Sequence, residues 1–156
     1  MPLNSRRPEQ LAALAGYVSA ADEATSQLFS EVVVATARRI WAPGAAAKAA
    51  QLHDLLEAGA LTQAALSLID LELPLWRLRR IAYDEGEWHC AMSRQRELPE
   101  WLDQAVEARH TSLTLAILGA YIETVGQIEL SSEPSRPSVP QTRAEQYPPL
   151  YCENFA

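Results

Sequence analysis

His89 and Cys90 are the one adjacent imidazole–thiol pair in this sequence, which has 2 Cys and 3 His in all. On a strand, neighbouring side chains leave on opposite faces, so the two do not form a nucleophilic dyad. Cys90 is expected in the core and His89 on a polar surface. A metal site needs more ligands than the chain groups together. Cys90 and Cys152 make no C-x-x-C element, and His53, His89 and His110 stand far apart. Glu107 and His110 form one Glu-x-x-His step, with Asp103 a turn earlier. Carboxylate-bridged metal bundles use two such steps plus further glutamates, so this one reads as a solvated acidic helix face with His110 near its C-terminal end. The glycines at 16, 44, 59, 86, 119 and 126 are too dispersed for a P-loop or a dinucleotide-binding turn. No Gly-x-Ser-x-Gly elbow or His-Glu-x-x-His occurs. No catalytic residue, metal ligand or cofactor is assigned.

The arginines say more. Arg77, Arg79, Arg80, Arg94 and Arg96 are five of the 13 basic residues, and residues 76–96 sum to +2 within a total of −7. Residues 1–75 sum to −3 and residues 97–156 to −6. Arginine makes planar, bidentate contacts with carboxylates and phosphates, and Trp76 or His89 can stack beside it. Candidate binding residues are therefore Trp76, Arg77, Arg79, Arg80, His89 and Arg94. The competing explanation is that these arginines pair with acidic helices of the same chain or guard strand edges.

These residues need a hairpin to present them. Leu75 to Tyr83 and Glu87 to Arg94 are rich in aromatic and apolar residues and flank Asp84-Glu85-Gly86. A two-residue Glu85-Gly86 turn sets Tyr83 opposite Trp88 and Ile81 opposite Cys90. Trp76 and Leu78 are then out of phase, which a bulge near Arg79-Arg80 would repair. Two strands alone leave two edges. A helix, the tail or a second copy of the chain must meet one of them, and joining hairpins in a homodimer is one solution.

Helical spacing surrounds the hairpin. Leu11, Leu14 and Val18 begin a first region that runs to about Trp41, with a break at Gly16 or within 19–24. Ala45 to Glu57 carries Leu52, Leu55 and Leu56 and ends at Gly59. Thr62 is the expected N-cap of a helix striped with Ala65, Leu68 and Ile69, which Leu73-Pro74 ends. Past Leu98-Pro99 a helix with Trp101, Leu102, Ala105 and Val106 is expected. A last one follows Thr111 or Ser112 and runs from Leu113 to about Gln127. Its apolar girth from Leu115 to Ile122 places it at the centre of the core.

From Ser131 onward five of the 10 prolines crowd together, an extended-tail composition. Pro148-Pro149-Leu150-Tyr151 matches a P-P-x-Y ligand pattern, and Tyr147, Leu150, Tyr151 and Phe155 are the anchors if the tail packs. The stretch from Leu71 to Gln95, Leu-Glu-Leu-Pro-Leu-Trp-Arg-Leu-Arg-Arg onward, resembles one found in small proteobacterial proteins of rhizobial type. The resemblance spans about residues 45–125 and excludes the tail. It implies a bacterial cytosolic origin and carries no activity or functional residues.

A chain of 156 residues suits one domain. The acidic total argues against broad nucleic-acid binding, and no run reaches the roughly 18 apolar residues of a membrane span. The expectation is one α+β domain, residues 5–130, mostly helical with one antiparallel hairpin at about 75–94, and a tail over 131–156. The leading functional expectation is a cytoplasmic, non-enzymatic interaction or regulatory protein that self-associates, as a dimer, through the hairpin. The alternatives are a small-molecule binder or enzyme with a site around His89, and a nucleic-acid contact through the hairpin arginines.

Overall fold

In a computed structural model of the chain the described residues are 6–94 and 105–132. Helix α1, Arg6–Ala20, buries Leu11 and Val18, seven residues apart on one face. The chain breaks after it, and the Thr25 hydroxyl restarts it by accepting the Leu28 N–H at 3.1 Å, so α2 runs Ser26–Thr36. This helix tolerates three consecutive valines because Phe29 and Val32 are wholly buried. Packing there outweighs a propensity cost of about half a kcal/mol per valine. A 3-10 turn, Arg39–Trp41, leads to α3, Ala46–Glu57, and α4, Leu61–Glu72.

Gly59, at φ +73°, closes α3 as expected: its N–H donates to the Leu56 carbonyl, and the Ala60 N–H donates to that of Leu55. Thr62 is not the cap of α4. The helix starts at Leu61 behind Ala60 with no side-chain cap, and Thr62, already in the first turn, instead shares a 2.7 Å hydrogen bond with Thr114. The α4 helix ends ahead of Leu73-Pro74.

The hairpin is formed by β1, Trp76–Asp84, and β2, Glu87–Arg94. Glu85 and Gly86 both take positive φ, 49° and 86°, as a type I′ turn requires. The register holds Tyr83 against Trp88 and Ile81 against Cys90, then shifts between Leu78 and Arg80. This bulge returns Leu78 and Trp76 to the inner face, opposite Met92 and Arg94.

A third strand corrects the helix expected over Pro99 to Val106. Val106–His110 is β3, antiparallel to β2, and the sheet order is β1-β2-β3. The Trp101, Leu102 and Asp103 part of that expectation lies outside the described residues, as does Arg96. The segment pairs because the second edge of β2 needs hydrogen-bond partners, and because Val106, Ala108 and His110 alternate inward. Glu107 and His110 consequently lie on opposite faces, so the acidic helix face read from their spacing does not exist. His110 is buried, and its Nδ1 accepts the Ser112 N–H at 2.9 Å just ahead of a helix N-terminus, rather than closing a C-terminus.

That helix, α5, Leu113–Ser132, is the centre of the core: Leu115 to Leu118 and Ala120 to Ile122 are all at most 1% exposed. It has the length and hydropathy of a membrane span, and just over half of that window is buried among the other elements. The inner sheet face lies on it through Cys90, Met92 and Val106. At Gly119 the approach is so close that a Cβ would stand 3.3 Å from the Ala108 methyl. The tail anchors Tyr147, Leu150, Tyr151 and Phe155, and the P-P-x-Y segment, lie outside the described residues.

Candidate functional site

The site begins with a carboxylate held by backbone. Glu72, the last residue of α4, is 9% exposed. Its Oε2 accepts the N–H groups of Arg38 and Arg39 at 2.9 and 3.0 Å, and its Oε1 accepts that of Ile40 at 2.8 Å. The first N–H groups of any helical turn lack internal partners, and the 3-10 turn has no side-chain cap of its own. Glu72 caps it from another helix, which fixes Arg38 and Arg39 at the rim of a cleft.

The cleft holds about 470 Å³. Thr36, Tyr121, Val125 and Ile128 line it, with the buried Trp76 at one side. The Thr36 hydroxyl donates to the Val32 carbonyl at 2.6 Å, so the Tyr121 hydroxyl, 2.9 Å away, donates to Thr36. Burial pushes the Tyr121 phenol far above its ordinary pKa. It is a neutral, fixed wall rather than an acid. Leu75 and Leu130, 65% and 63% exposed, bring apolar surface out to the mouth.

Four arginines line the same cleft: Arg7, Arg38, Arg39 and Arg94. Arg7 Nε and Arg38 Nη2 both donate to Glu129 Oε1, the second at 3.3 Å. The Arg94 guanidinium lies over Trp76, 5.9 Å from the ring centroid, as cross-strand neighbours in the Trp76–Arg94 pair. Arg39 and Arg94 make no ion pair among the described residues. An apolar floor with cations at its rim suits a ligand that has an apolar body and an anionic end.

The residues expected to bind separate into two groups. Trp76 and Arg94 enter the cleft. Arg77, Arg80 and His89 lie on the opposite face of the sheet, where His89 is half-buried between Ala82 and Arg109. Arg79 sits at the bulge and donates to the Arg94 carbonyl at 3.3 Å. Neither this cleft nor a second groove, between α1 and α5, is lined by His89. On the outer face, Arg77, Arg80 and Arg109 are interleaved with Asp84, Glu87 and Glu107, a mixed surface rather than a cationic footprint. Among the described residues no three His, Cys, Asp or Glu side chains gather as metal ligands.

The residues that sequence reasoning missed are Arg7, Arg38, Arg39, Glu72, Tyr121 and Glu129. A sequence signal existed for two of them. Glu72 continues the Ala65, Leu68 and Ile69 stripe, and Glu129 continues Tyr121 and Val125, so each carboxylate falls where helical periodicity places an apolar residue. No family model, curated protein or solved structure matches the chain.

Proposed function

We propose that this chain is a binding protein that takes a small amphipathic anion in the cleft between α5, the α2–α3 connection and the foot of the sheet. The observation that carries the reading is the coincidence of four arginines with one apolar-floored cavity of about 470 Å³, within the range usual for small-molecule sites. Among the described residues that line it no nucleophile–base pair occurs. The test is titration with an anilinonaphthalene sulfonate, an aromatic anion whose fluorescence rises in apolar surroundings. Saturable binding of about one dye per chain is expected, with at least a tenfold loss in Ile128→Trp, which fills the cleft. Non-saturable binding, or binding indifferent to that substitution in a folded variant, rejects the reading.

A second reading, self-association through the hairpin, is favoured by one further observation. Among the described residues strand β1 is a sheet edge, and its Ile81 and Tyr83 are 45% and 61% exposed. It does not compete with the first, because Ile81 and Tyr83 do not line the cleft.

A further inference from the structure

The Glu129 carboxylate engages two of the arginines that line the cleft. It accepts from Arg7 at the start of α1 and from Arg38 beyond α2, so two guanidinium groups from separate elements already form a carboxylate site. The Arg38 contact is open to exchange, since that side chain is 66% exposed and exposed ion pairs contribute little in water, while the Arg7 contact is half-buried. The track leading there is apolar. Tyr121, Val125 and Ile128 precede Glu129 on one face of α5, at steps of four, three and one residues. Eight residues of helix span about 12 Å, the length of an extended chain of roughly nine or ten carbons.

On the reading of the cleft as an amphipath site, we propose that its ligand is a medium-length alkyl or aryl monocarboxylate whose carboxylate replaces Glu129 on Arg7 and Arg38, making Glu129 a latch built into the protein. The apolar body then lies along Val125 and Ile128 with its end toward Trp76. Arg39 and Arg94, which have no carboxylate partner among the described residues, keep the mouth attractive to an anion after the exchange.

Calorimetric titration of the full chain with decanoate and with 1-decanol, each below its micelle or solubility limit, tests this. Decanoate should bind tighter than decanol, and Glu129→Gln should tighten decanoate by about fivefold to tenfold while leaving decanol unchanged. Removing the receiving cations, in Arg7→Gln with Arg38→Gln, should weaken decanoate at least tenfold and spare decanol. Equal affinity for both compounds in all variants, with both lost in Ile128→Trp, overturns the latch but leaves the cleft reading standing. Binding of neither compound overturns the ligand class. If the dye also fails to bind, the cleft reading falls with it. Weaker decanoate binding in Glu129→Gln, at unchanged thermal stability, reverses the assigned role of Glu129 and overturns the latch.

Discussion

Cys90 and the residues beside it divide reactive from structural side chains. The thiol is 1% exposed on the inner sheet face, and burial raises its pKa from 9.0 to about 11. A thiol kept protonated is a poor nucleophile, so Cys90 packs as a small apolar group although it adjoins His89 in the chain. Two measurable consequences follow from the direction of the shift. Alkylation of the native protein near pH 8, mapped by mass spectrometry, should leave Cys90 unmodified until the chain is unfolded. The neutral form is favoured by folding, so its linked stability is intact below about pH 9 and is lost as pH rises toward 11. Urea unfolding at pH 8 and pH 10.5 should show a smaller drop between the two pH values for Cys90→Ala than for the wild type. Equal drops would mean that burial does not hold the thiol's proton.

Between elements, Glu72 joins α4 to the turn after α2 by three hydrogen bonds to backbone N–H groups. Glu72→Ala orphans all three donors and is expected to destabilise the fold by about 2–4 kcal/mol, with Glu72→Gln losing less because one amide oxygen still accepts. Urea midpoints measure both, and a Glu72→Ala variant within about half a kcal/mol of wild type would deny the cap its role. How far such joints can be read in advance depends on the range of the interaction. The hairpin, the bulge at Arg79 and the burial of α5 were legible, since turn residues and periodicity are local features. Strand β3 was not. Val106-Glu107-Ala108-Arg109-His110 is rich in helix formers, and only the open edge of β2 makes it a strand. The cleft was half legible: Trp76 and Arg94 stood out by type, whereas Arg7, Arg38 and Glu129 are separated by up to 122 positions and look like ordinary surface charges. Only the placement of Glu72 and Glu129 on apolar stripes marked them.

At the scale of the whole molecule, α5 covers β2 and β3, and among the described residues no helix covers the far end of β1, where Ile81 and Tyr83 are exposed beside Trp88. The bulge and Arg77, Arg79 and Arg80 guard most of this edge against pairing. Its tip is different, because it is complementary to itself. An antiparallel pairing of two β1 strands centred on Ala82 sets Tyr83 of one copy opposite Ile81 of the other on the inner face. On the outer face it sets Asp84 opposite Arg80. Each apolar side chain then meets an apolar partner and each charge its opposite, as a two-fold contact requires. So short a contact buries little area, so the dimer should be weak and concentration-dependent. Light scattering across a dilution series should show a monomer–dimer equilibrium at concentrations of about 10–100 μM, a range in keeping with transient interfaces. Tyr83→Lys should hold the chain monomeric. Arg80→Asp should weaken the dimer by setting two aspartates face to face, and adding Asp84→Arg should restore it, since the swapped pair is again complementary. A wild-type chain that is strictly monomeric at the top of that range removes the hairpin as a self-association surface. A dimer that survives both single substitutions places its interface elsewhere on the molecule.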